Sequence, residues 1–70
     1  MQVSARNCLK GTVTSVNIGS VNTEITLEIA PGFKVVSIIT KASAEQLELT
    51  VGKEAYAVIK ASDVLMAIND

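Results

Sequence analysis

Hydrophobic and polar positions alternate with period two over most of the chain. Across residues 21–29, Val21, Thr23, Ile25, Leu27 and Ile29 share one side, while Asn22, Glu24, Thr26 and Glu28 share the other. That is the pattern of a strand with one buried and one wet face. Residues 12–18 are also extended, but their apolar phase slips between Val13 and Val16. A one-residue slip predicts a bulge or bend in a long first strand. Between these runs, Gly19-Ser20 predicts a two-residue hairpin turn with Gly first. Pro31-Gly32 predicts the next turn, Pro fixing φ and Gly supplying a positive φ. Residues 33–40 carry Val35 and Ile39 on one face and Val36 and Ile38 on the other, which predicts a strand covered on both sides.

The period then changes. Ser43-Ala44-Glu45-Gln46 reads as a capping box, the Ser43 hydroxyl and the Gln46 amide serving exposed N–H groups. Ala44, Leu47 and Leu49 give a short helical stripe that stops at Val51-Gly52-Lys53. Two further strands, 54–60 and 64–68, are joined by Ala61-Ser62-Asp63. Three strands, a short helix and two strands is the order of the all-β, five-stranded oligonucleotide/oligosaccharide-binding (OB) barrel, with its helix between strands three and four. A small SH3-like barrel is the alternative.

Composition narrows what such a barrel can do. Seventy residues make one domain, 1–70. A chain of this size buries only about 60% of its unfolded surface and needs a supplement to its core. Cys8 is the only cysteine and there is no histidine, so an internal disulfide and a zinc or iron–sulfur site are excluded. Self-association remains, and a 49% hydrophobic content favours apolar surface buried between chains. A net charge of -1, with one Tyr and one Phe, argues against a nucleic-acid grip or a base-stacking platform. No signal peptide and no run of about 20 apolar residues is visible, so the expectation is a cytoplasmic protein without a membrane partner. The opening Met1 favours a free-standing protein over a module of a transporter ATPase or transcription regulator.

The stretch SARNCLKG, residues 4–11, is crowded with hydrogen-bond donors. In the expected barrel, strands one and four are antiparallel neighbours. Ser4 and Arg6 should therefore meet Lys60 and Ser62, while Thr40 and Ser43 add hydroxyls where strand three enters the helix. Two cations and several hydroxyls suit a tetrahedral dianion, whose oxygens accept hydrogen bonds and give none. Each residue also has a plainer role: solvated rim charge for Arg6 and Lys60, helix cap for Ser43, small apolar filler for Cys8. Glu24 and Glu28 sit on a wet face without a histidine, so no acid–base pair or nucleophile exists and no catalytic residue is expected.

The chain resembles the molbindins, small molybdate-binding or molybdenum-pterin-binding proteins, over nearly its whole length. The markers are Ser4-Ala5-Arg6-Asn7, Leu9-Lys10-Gly11, Gly19-Ser20-Val21-Asn22, Ser37-Ile38-Ile39-Thr40, Leu47-Glu48-Leu49 with Gly52-Lys53, and Val58-Ile59-Lys60-Ala61 followed by Val64. The resemblance implies an OB-type barrel assembled as a hexamer, a trimer of dimers, with molybdate or tungstate held between subunits and no metal coordinated directly by side chains. It implies Ser4, Ala5, Arg6, Thr40, Ser43, Lys60, Ala61 and Ser62 as oxyanion ligands. A second site, near the three-fold axis, falls on Gly19, Ser20, Val21 and Asn22. Position 8 departs from the family, where Gln is common. No aromatic cleft suits a pterin ring, so the expected ligand is the bare oxyanion and the expected role is storage or buffering in molybdenum homeostasis. A nucleic-acid-binding barrel is the alternative.

Overall fold

In the computed structural model, which describes residues 2–69, four strands form one antiparallel sheet. They are β1 (Asn7–Ile18), β2 (Asn22–Ala30), β3 (Phe33–Thr40) and β4 (Glu54–Ile59). A helix, α1 (Lys41–Gln46), joins β3 to β4, and a 3₁₀ turn over Ala61–Asp63 follows β4. The sheet order is β3-β2-β1-β4. Met1, on which the free-standing reading leans, lies outside the described residues.

The 12-residue β1 serves two partners in succession. Asn7 to Thr12 pair with β4, and Thr12 to Ile18 pair with β2. The expected phase slip is present as a register shift between Val13 and Ser15. The shift places Val13, 1% exposed, in a core with Ile25 and Leu27, flanked by Val16, Ile29, Ile39, Leu49, Ala55 and Ala57. The turn before β4 docks on this bulge: the Gly52 N–H donates to the Val13 carbonyl at 2.8 Å and the Val13 N–H to the Lys53 carbonyl at 2.9 Å.

Gly11 is fixed by close approach, because a Cβ there would lie 2.5 Å from the Glu28 carbonyl oxygen. The Pro31-Gly32 turn has the expected left-handed glycine, with φ of 80° at Gly32. The first hairpin is shifted by one residue from expectation. The Gly19 N–H donates to the Asn22 carbonyl at 2.8 Å, so Ser20 and Val21 form its centre.

Three expectations fail. First, residues 64–68 form no strand, so the sheet is open with four strands and not five. Leu65, Met66 and Ile68 are 92%, 89% and 89% exposed. Second, β3 is not covered on both faces. Val35 and Ile39 are half-buried, but Val36 and Ile38 are exposed, because nothing among the described residues covers that side.

Third, Thr40 and not Ser43 caps the helix. Thr40 ends β3 in extended geometry, and its hydroxyl accepts from the Ser43 N–H at 3.0 Å. Ser43 is therefore inside the first turn, and Gln46 is the last helical residue. The apolar stripe shifts as well. Ala44 is buried and Leu49 half-buried, while Leu47 is exposed because the chain turns through Glu48 at φ of 54°. Lys53 Nζ seals that turn by donating to the Leu47 and Glu48 carbonyls at 2.8 and 3.2 Å.

Candidate functional site

The candidate donors fall into two clusters. Ser4, Ala5 and Arg6 lead directly into β1, and Lys60, Ala61 and Ser62 follow β4. Asn7 pairs with Ile59 as the last rung between the two strands, and the Asn7 side-chain amide donates to the Ile59 carbonyl at 3.4 Å. Arg6 and Lys60 therefore flank the same rung from opposite strands, as expected from antiparallel neighbours. Both side chains are exposed. Among the described residues the one ion pair, Lys10 with Glu54 at 3.5 Å, uses neither.

Thr40 and Ser43 do not join them. Thr40 pairs with Asn22, and Asn22 begins the strand whose next residue, Thr23, pairs with Ile18 at the far end of β1. At about 3.3 Å per residue, the two clusters are separated by a strand contour on the order of 35 Å. One copy of the chain thus carries two half-sets of donors at opposite ends of β1. The Gly19–Asn22 turn belongs to the Thr40 end, tied there by the Lys41 N–H donating to the Val21 carbonyl at 2.8 Å.

At the Thr40 end the hydroxyls form a relay. The Ser43 N–H is consumed by the Thr40 oxygen, and the Thr40 hydroxyl donates to Ser43 Oγ at 2.8 Å. Since each hydroxyl has one hydrogen, the one left for a ligand is that of Ser43. Lys41 adds a cation at this end, which the sequence reading missed. Its position one residue after the strand end was the available signal, obscured because the helix was expected to start later.

The two clusters offer hydrogen-bond donors and positive charge, and their hydroxyl oxygens can also accept. Cys8 is exposed on β1, and among the described residues no grouping of His, Cys, Asp or Glu could hold a metal ion. No helix among them is long and apolar enough to cross a membrane. Fold and donors together define a small curled β module with one short helix and exposed hydrogen-bond donors at both ends of its longest strand.

The profile of the TOBE domain matches residues 3–66. The chain belongs to the molbindin (Mop) family of these domains. It is 52% identical over 66 residues to molybdenum-pterin-binding protein 3 of Clostridium pasteurianum, covering 94% of this chain and 97% of that protein. The apo structure of MopII from Clostridium pasteurianum superposes with a TM-score of 0.90 at 45% identity, covering 96% of this chain and 100% of that one. The molybdate-bound form of the cytoplasmic molybdate-binding protein ModG superposes with a TM-score of 0.88, also at 45% identity, over 93% of this chain and 46% of that one.

Proposed function

We propose that this protein binds molybdate as a bare oxyanion between copies of itself and serves as a cytoplasmic store or buffer for it. Arg6 and Lys60 of one copy, with Ser4, Ser62 and the backbone at Ala5 and Ala61, meet Thr40 and Ser43 of another. The observation that carries the reading is the division of the cations and hydroxyls into two clusters at opposite ends of β1. Arg6 and Lys60 balance the charge of a dianion, but full coordination also needs the hydroxyls of the second cluster, which lie at the far end of β1 within one copy. Pooling the clusters encloses the anion and makes its occupancy stabilise the assembly. Relatives whose names carry molybdate or molybdenum-pterin binding support the choice of anion.

Size supplies the selectivity. Sulfate carries the same charge on a smaller tetrahedron and leaves some donors unpaired. Each buried donor left unpaired costs about 1–3 kcal/mol, so two or three give strong discrimination. Isothermal titration with molybdate, tungstate and sulfate tests the reading. Tight binding of molybdate and weak binding of sulfate is expected; equal affinity for all three removes the selectivity, and no binding of molybdate removes the function.

A further inference from the structure

Ser43 is carried by a helix of only six residues, so the end of that helix lies one turn from the hydroxyl. The Leu47 N–H donates to the Ser43 carbonyl at 3.0 Å. Beyond Leu47 the chain reverses in a Schellman turn. There the Glu48 N–H donates to the Glu45 carbonyl at 3.0 Å and the Leu49 N–H to the Ala44 carbonyl at 3.1 Å. Such a turn needs one left-handed residue and favours glycine at that place. This chain has Glu48 instead, at φ of 54°. A side chain in that region is strained and persists only where its surroundings hold it.

Lys53 is what holds it. The last turn of α1 contains no basic residue, so the cation that its closing carbonyls favour comes from outside the helix. Lys53 Nζ donates to the Leu47 and Glu48 carbonyls at 2.8 and 3.2 Å. The backbone of Lys53 is fixed in turn. Its carbonyl accepts from the Val13 N–H at 2.9 Å, and the neighbouring Gly52 N–H donates to the Val13 carbonyl at 2.8 Å. Val13 is a core residue, 1% exposed, at the bulge of β1. Hydrogen bonds thus link the β1 bulge to Lys53, Lys53 to Leu47, and Leu47 to Ser43.

We propose that Lys53 is a positioning residue for anion binding: it clamps the strained turn after α1 to the β1 bulge and so fixes where Ser43 presents its hydroxyl. Lys53 itself touches no anion. Without the clamp the short helix is free to shift, and the Ser43 hydroxyl is no longer waiting where the anion needs it. A fixed donor suits the larger anion, whereas a loose one follows a smaller anion inward. The clamp therefore also sets the preference for molybdate over sulfate. The inference rests on the oxyanion reading and adds to it the residue that makes the Ser43 end rigid.

The test is a double-mutant cycle on the full chain, read by titration with molybdate and sulfate and with circular dichroism to check the fold. Lys53→Met should bind molybdate about fivefold more weakly, with a smaller loss for sulfate. Lys53→Arg should restore binding, because a guanidinium also reaches two carbonyls. Adding Glu48→Gly to Lys53→Met should restore it as well, because glycine keeps the turn without a clamp. In the Ser43→Ala background, Lys53→Met should cost nothing further. Wild-type affinity in a folded Lys53→Met variant overturns the proposal, and so does an undiminished loss in the Ser43→Ala background, which marks a general structural role. A crystal structure of the wild type with molybdate decides the matter even where Lys53→Met fails to fold. Lys53 Nζ is expected on the Leu47 and Glu48 carbonyls with Ser43 Oγ on the anion, and a Lys53 that has left those carbonyls overturns the clamp. A wild type that binds no molybdate instead overturns the oxyanion reading beneath it.

Discussion

Asn7 and Ile59 are joined twice, as opposed residues of the β1–β4 ladder and through the Asn7 side-chain amide on the Ile59 carbonyl. This rung fixes the spacing between the backbones that carry Arg6 and Lys60. The cation pair is thus a consequence of strand register, and it is set without any contact between the two charged side chains.

Arg6→Ala should therefore weaken molybdate binding without disturbing the fold. A hydrogen bond from a charged donor contributes about 1.5–3 kcal/mol, so affinity should fall roughly tenfold to a hundredfold. Titration calorimetry, with circular dichroism as the folding control, measures it. Unchanged affinity would remove Arg6 from the site.

If one copy supplies the Arg6 end and another the Ser43 end, two crippled variants should rescue each other. Arg6→Ala and Ser43→Ala, each weak alone, should regain a fraction of tight molybdate sites after denaturation and refolding together. A site built wholly within one chain gives no such recovery, and a titration of the mixture separates the two outcomes.

Thr23 lies in the core at 1% exposure, and its hydroxyl has no hydrogen-bond partner among the described residues. Thr23→Val keeps the shape and removes an unsatisfied polar atom, so it should stabilise the protein by about 1 kcal/mol. Chemical denaturation gives the number, and a loss of stability would mean that the hydroxyl has a partner in solution.

Gly11 faces the opposite constraint, since an added Cβ would lie 2.5 Å from the Glu28 carbonyl oxygen and 2.9 Å from Leu27 Cγ. Backbone and core must both shift to admit it. Gly11→Ala should destabilise by about 1–3 kcal/mol, read as a lowered denaturation midpoint.

Much of this architecture was legible in the residues. The strict alternation through β2, the phase slip at Val13 and the Pro31-Gly32 turn all report local geometry, and each was found where the pattern put it. The fifth strand was misread because apolar patterning reports a tendency of residues 64–68 to bury side chains but not whether this chain offers them a strand edge. The cap was misread because Thr40 and Ser43 both suit the position, and only the extended geometry of Thr40 decides between them. The Arg6–Lys60 neighbourhood followed from strand order. The separation of Thr40 and Ser43 from it follows from register along a 12-residue strand, which no local motif encodes.

The handover of β1 from β4 to β2 at Thr12 also orders events in time. The β1–β2 and β2–β3 pairings close across short turns, whereas joining Asn7 to Ile59 closes a loop of 52 residues. Local hairpins form before distant ladders because their loop-closure entropy is smaller. On this order a three-stranded meander precedes the ladder that makes Arg6 and Lys60 neighbours, so the Arg6–Lys60 half of the proposed site is the last part of the sheet to take shape.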